Sequence, residues 1–258
     1  MQLLWSKPIP CRNPWEPELQ GIFARHAGEP AFFWLERGGI CAMLPAAEGA
    51  AVHRLSPVAG LPLPRHWRLL EESALLQLTG SHALDLNTLQ LIPHDLSIPR
   101  REAYPSFTLG DYRIDYNAGH TLTCTRSGET VWTFRIQAYL YTPVLPWQDM
   151  ILFGTSGNGG HFYLLRLETG EVVADIRTGG TEYIAQEDGF CYILANAPMA
   201  HLLQVEIATG RTAGKLSLPG KGLNSSLLLM DGKIHTVTYQ YKSGRLTGAV
   251  WSCADVHT

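Results

Sequence analysis

The side chains of this chain with chemistry to offer are carboxylates, imidazoles and thiols, and only the carboxylates follow a rule. Glu29, Glu72, Asp111, Asp149, Asp188 and Asp231 succeed one another at steps of 43, 39, 38, 39 and 43 residues. Gathered on an axis, six such groups would form a cation-binding ring. Each, however, separates two apolar runs, and acidic residues are favoured in tight turns because they solvate the turn and Asp bonds its own backbone. A second set of turn positions, Gly49, Leu89, Gly128, Gly170 and Gly210, runs between them at steps of 40, 39, 42 and 40. The spacing therefore supports turn chemistry over a carboxylate ring.

Nucleophilic catalysis needs Ser, Cys or Thr beside a base, and no G-x-S-x-G elbow is present. The stretch Gly154-Thr155-Ser156-Gly157-Asn158-Gly159-Gly160 superficially suggests a phosphate loop, but lacks the Lys-Ser/Thr ending and a following helix, and reads as a turn. The ten histidines show no H-x-x-x-H or H-x-H spacing. Of five cysteines, four lie in strand-like runs where a thiol acts as a small buried hydrophobe. Cys11 and Cys253 could approach each other if the two ends meet, but a bridge there is unneeded in a reducing compartment.

What must position these groups is a repeat. A period near 40 with two offset turn signals means one unit of several short strands used repeatedly, the pattern of a β-propeller. From Tyr183 to Gly220, four apolar or alternating stretches are separated by Asp188-Gly189, Asn196-Ala197-Pro198 and Thr209-Gly210, which is a four-stranded antiparallel blade. Six blades follow, spanning about 19–58, 60–98, 104–138, 141–179, 182–218, and 223–253 plus 2–9, with seven as the alternative if the Trp15 to Arg25 region holds more than a linker. The last unit lacks a fourth strand. Leu3 to Ile9 resembles outer strands such as Val131 to Arg135, and is expected to complete that blade and hide its open edge. The expected fold is all-β, a single domain over 1–258. Trp67 to Leu76 mimics an amphipathic helix, but its place in the period overrides that.

Ala83-Leu84-Asp85-Leu86-Asn87-Thr88 resembles the third strand and turn of pyrroloquinoline-quinone-type (quinoprotein-like) propeller repeats, and Leu165 to Glu171 and Val205 to Arg211 are similar. Gly128-Glu129-Thr130-Val131-Trp132 matches that family's turn and outer-strand tryptophan. The resemblance implies a propeller. It implies no cofactor, because the family's adjacent cysteine pair is absent and Leu89 replaces one turn glycine. The Gly-His/Trp-Asp signature of WD40 repeats and the sialidase box are also missing, and the doubled glycines Gly38-Gly39, Gly159-Gly160 and Gly179-Gly180 are out of phase with a kelch pattern.

A formal charge of −3 and a pI near 6.4 give no basic footprint for nucleic acid. No run approaches 18 apolar residues, so no membrane partner is expected, and with Met1 as the native start the expectation is a cytoplasmic monomer. Residues six to eight positions before each acidic turn should crowd the propeller mouth: Arg65, His66, Tyr104, Tyr141, Tyr183 and Asn224, with Trp15 in the first unit. Aromatic and amide groups there would hold a protein partner or small polar ligand by stacking and hydrogen bonding. The expected function is thus a non-catalytic binding scaffold. The rivals are a metal-assisted hydrolase or lactonase using Glu18, Glu182 and Asn224, and a structural or immunity-type partner protein.

Overall fold

A computed structural model describes residues 1–10, 21–36, 39–46, 49–57, 61–64, 67–95, 105–157, 159–196, 198–222 and 225–257. Cys11, Trp15, Glu18, Arg65, His66, Arg100, Arg101, Tyr104 and Asn224 lie outside them. The chain forms two compact units, one of residues 1–99 with 219–258 and the other of residues 100–218.

In the first unit, β1 (Gln2–Pro8) is followed by a sheet of β2 (Ile22–His26), β3 (Glu29–Glu36), β4 (Gly39–Ala46) and β5 (Gly49–Pro57). Next comes a sheet of β6 (Arg68–Leu70), β7 (Leu75–Gln77), β8 (His82–Asp85) and β9 (Leu91–Pro93). The second unit holds β10 (Ser106–Leu109), β11 (Tyr112–Asn117), β12 (Thr121–Arg126) and β13 (Glu129–Arg135); then β14 (Tyr139–Leu140), β15 (Leu145–Trp147), β16 (Met150–Ser156), β17 (His161–Arg166) and β18 (Val172–Arg177); then β19 (Thr181–Glu187), β20 (Phe190–Ala195), β21 (His201–Glu206) and β22 (Arg211–Ser217). The chain returns to the first unit as β23 (Leu227–Met230), β24 (Lys233–Lys242) and β25 (Arg245–Asp255). Six antiparallel meanders result, and the sheet order β1-β25-β24-β23 shows the N-terminal strand completing the last one, with Leu3 opposite Ala254 and Pro8 opposite Val250.

The comb residues sit where turn chemistry places them, at the junction of the first and second strands of each sheet, with Glu29 already the first residue of β3. Ala27-Gly28, Asp188-Gly189 and Asp231-Gly232 have both central residues at positive φ, the I′ turn that matches strand twist. The second sheet departs from this. Its turn is a 3-10 turn, Glu71–Ser73, closed by Ala74 at φ 51, and the helix-like pattern of Trp67 to Leu76 is two strands flanking that turn.

Second and third strands such as β3, β16, β17 and β20 read as apolar runs because both of their faces are covered, whereas β11 and β12 alternate. On β16, Met150 and Leu152 pack toward β20 and β21, while Ile151 and Phe153 pack toward β11 and β12. On β3, Phe32 and Trp34 join Val237, Tyr239 and Trp251, while Phe33 and Leu35 join Leu76 and Leu84. At about 1.5–3 kcal/mol per fully buried large side chain, this alternation holds each stack of three sheets together. Fourth strands carry exposed, alternating patterns, as β13 and β22 show.

The family-like motifs have a physical role. Trp132, on the fourth strand of one sheet, donates its Nε1–H to the Leu167 carbonyl at 2.7 Å, beside the Thr169-Gly170 turn of the next sheet. A β-carbon on Gly170 would lie 2.7 Å from Trp132 Cγ, and its φ is +70°, so the turn glycine is required twice over. Ala174 occupies the corresponding place against Gly210, at 2.7 Å. In the glycine-less repeat, Asp85 accepts the N–H groups of Asn87 and Thr88 at 2.8 and 3.0 Å, and Leu89 takes the left-handed conformation at φ 58.

Candidate functional site

Two of the seven mouth residues read from the sequence, Tyr141 and Tyr183, fall among the described residues, and both are in the second unit. Tyr141 lies between β14 and β15, where the first strand of its sheet is interrupted. Pro143 has no N–H for the ladder, so pairing stops and resumes at Leu145. The gap is pinned instead by the N–H groups of Tyr141 and Thr142, both donated to the Gly154 carbonyl at 3.0 and 3.2 Å, while Thr142 Oγ1 accepts the Gly154 N–H at 2.8 Å. A β-carbon on Gly154 would collide with Thr181 at 2.3 Å, so the bare glycine lets β16 and β19 pass in contact. Tyr183 stands within β19, opposite Leu194, and is exposed.

Beneath these tyrosines runs a buried layer of threonines. Thr155 Oγ1 bonds both the N–H and the carbonyl of His161, Thr178 Oγ1 donates to the Gly160 carbonyl at 2.9 Å, and Thr181 Oγ1 donates to the His161 carbonyl at 3.1 Å. These bonds satisfy two connections that touch: a β-carbon on Gly160 would lie 2.8 Å from Gly180 Cα. The doubled glycines of the sequence are thus the crossing point of two connections. Around Gly180, at φ +146°, three polar side chains converge on the point a β-carbon would fill: Glu182 Oε1 at 3.3 Å, Ser156 Oγ at 3.8 Å and Asn196 Cβ at 3.9 Å. Glu182 itself is buried. Ser156 and Asn196 escaped sequence reasoning; the doubled glycines were the signal that marked them.

The rim at this end is aromatic. Tyr139 is 65% exposed and meets the His120 ring edge to face at 4.7 Å, and Tyr116 Oη holds His120 Nδ1 at 2.9 Å. Met199 is also exposed. Nearby, His161 stacks on Tyr163 with ring centroids 5.5 Å apart and contacts Asp175 through Nδ1; burial and the Asp175 charge push the Tyr163 hydroxyl upward.

As a catalytic arrangement the His161–Asp175 pair lacks a nucleophile: no hydroxyl or thiol among the described residues bonds the imidazole. The thiols Cys41, Cys124, Cys191 and Cys253 are in no disulfide and are buried, as the sequence implied for strand cysteines. Burial pushes Cys124 and Cys253 up to about 11 and raises Cys191 as well, so they are protonated at neutral pH. Among the described residues no three His, Cys, Asp or Glu side chains are grouped to hold a metal ion, and no helix is long and apolar enough to cross a membrane. The site can therefore offer stacking surfaces, hydroxyls and one buried carboxyl group.

No protein-family description matches the chain, and neither does any curated protein. Solved structures similar to it include BamB from Moraxella catarrhalis, at 16% identity and a TM-score of 0.41, covering 96% of this chain and 78% of that one. The WD40 β-propeller domain of Doa1 is similar at 13% identity and a TM-score of 0.44, covering 98% and 96%. The computationally designed protein Ika8 is similar at 11% identity and a TM-score of 0.42, covering 90% and 74%.

Proposed function

We propose that the chain is a non-catalytic scaffold whose six sheets are the blades of one ring, and that it binds a protein partner or small polar ligand through the connection end of its blades. Support for the ring is the 40-residue period, which runs unbroken from first repeat to last, together with the sharing of the last sheet by both ends of the chain. The observation that carries the binding reading is the exposure of Tyr139, Tyr183 and Met199 at one end of the second unit, over a layer of buried, hydrogen-bonded threonines. Large side chains left in solvent on a rigid, satisfied base present contact area at low entropic cost, the property of binding hot spots. Trp15, Arg65, His66, Tyr104 and Asn224 extend the same reading to the equivalent connections of the other repeats. The test is capture by the immobilised chain against a Tyr139→Ala/Tyr183→Ala variant with the same melting temperature. Lost capture supports this face; retained capture overturns it.

A further inference from the structure

A cavity of about 280 Å³ lies in the first unit, at the end of its strands that carries the acidic turns, where β1 completes the last sheet. Its floor is a cross-strand row. His235 on β24 is opposite Cys253 on β25, which is opposite Trp5 on β1, so all three project from one face. One step nearer the turn, Met230 pairs with Lys233. Pro30 and Glu29 approach from the neighbouring sheet.

The protonation state of the floor follows from its hydrogen bonds. Trp251 Nε1–H donates to His235 Nδ1 at 3.2 Å, so Nδ1 carries the lone pair and the neutral ring bears its hydrogen on Nε2, 3.9 Å from Cys253 Sγ. Nε2 is thereby unavailable as a base or metal ligand, and its N–H has Cys253 Sγ as a long, weak acceptor that a carboxylate would replace. His235 is 5% exposed, and burial first, then the Lys233 ammonium, drives it down to about 4, so it stays neutral at physiological pH. Burial raises Cys253 most, and the Lys233 ammonium, which lowers it, is opposed by Asp255, its cross-strand partner on β25. Glu29 and Asp231 stand exposed at the two turns of the rim, and neither they nor Lys233 form an ion pair within the described residues.

The site therefore has a donor pair of one cation and one N–H, an acceptor pair of two carboxylates, and an indole and thioether wall. Its volume lies just below the usual range for ligand sites, roughly 300–1,000 Å³, which selects a small metabolite over a nucleotide cofactor. We propose that this cavity binds a free apolar or aromatic α-amino acid, its carboxylate taken by Lys233 and His235 Nε2–H, its ammonium by Glu29 and Asp231, and its side chain laid against Trp5 and Met230. The proposal is independent of the connection-end reading, since it uses other residues in the other unit.

Calorimetric titration of the full chain with L-phenylalanine, L-leucine and L-methionine tests it, alongside phenylpropionate, which lacks the ammonium, and phenylalaninamide, which lacks the carboxylate. Saturable binding of at least one amino acid is expected, at least tenfold weaker for both truncated analogues and for Lys233→Met. Lys233 is exposed, so that variant should melt with the parent, and NMR of the His235 ring should shift on titration only in the parent. Absence of binding by all three amino acids, equal binding of phenylalaninamide, or full affinity in Lys233→Met would overturn the assignment.

Discussion

The two ends of the meanders obey different rules. At the end carrying the acidic turns, connections are short, repeat from sheet to sheet, and rest on positive-φ residues such as Gly28, Gly128, Gly170, Gly189 and Gly232. At the opposite end, the connections Ile136 to Leu140, Gly157 to Gly160 and Thr178 to Gly180 differ in length and residue type and carry the exposed aromatics. Repetition marks where backbone geometry is the constraint; its breakdown marks where side chains are free to serve recognition. Substitutions of the turn glycines at the first end should therefore cost stability, and those of the exposed rim side chains at the second should cost binding alone.

The sharpest break would come from Trp132→Ala, which removes a buried indole and its bond to Leu167 beside the Gly170 turn. A loss of about 3–5 kcal/mol in denaturant unfolding is expected; a loss under 1 kcal/mol would deny the docking role. Next is the acid limb at the turn-end cavity. His235 is held at about 4 against an ordinary 6.5, so the unfolded chain takes up a proton that the folded chain refuses. Stability present above pH 6.5 is then lost as pH falls to about 4, by up to roughly 3 kcal/mol. The lowered His201 adds in the same direction. Unfolding free energies of parent and His235→Phe across that window should diverge in slope; parallel curves would refute the buried neutral imidazole.

A finer contrast uses two turn glycines of the same end. Gly128 has φ +85° and nothing within 4 Å of an added β-carbon, so Gly128→Ala should cost only the left-handed strain, about 1 kcal/mol. Gly170→Ala adds the clash with Trp132 and should cost about 2–4 kcal/mol. Equal losses would show that Trp132 yields freely. The smallest effect belongs to the connection end, where Tyr139→Ala should change stability by no more than about 0.5 kcal/mol. A larger loss would make Tyr139 a structural residue and blur the distinction between the ends.

These ends were not equally legible in the amino-acid order. Asp188-Gly189 and Asp231-Gly232 announce themselves, because a two-residue turn with both φ positive admits few residue types. The partner of Leu3 to Ile9 was also readable, from the strand missing after Trp251. The Tyr141 gap was not, since Pro143 acts by removing a donor from a ladder whose register is known only after folding. His235 and Cys253 sit 18 residues apart and meet through cross-strand register, which spacing alone does not encode. As a sequence feature Cys253 was a strand thiol paired in expectation with Cys11, not with His235. Five of the seven mouth residues lie outside the described residues, so the mouth reading is carried by Tyr141 and Tyr183.

The pairing of β1 with β25 sets a schedule for biosynthesis. Gln2 finds its partner only when Asp255 has been made. At 5–20 residues per second that is a wait of roughly 12–50 s, during which Leu3, Leu4 and Trp5 have no strand partner on the growing chain. Every other strand meets a hairpin neighbour within seconds of leaving the ribosome. Chaperone protection of the nascent protein is accordingly expected to concentrate on Gln2–Pro8 until Asp255 has been made.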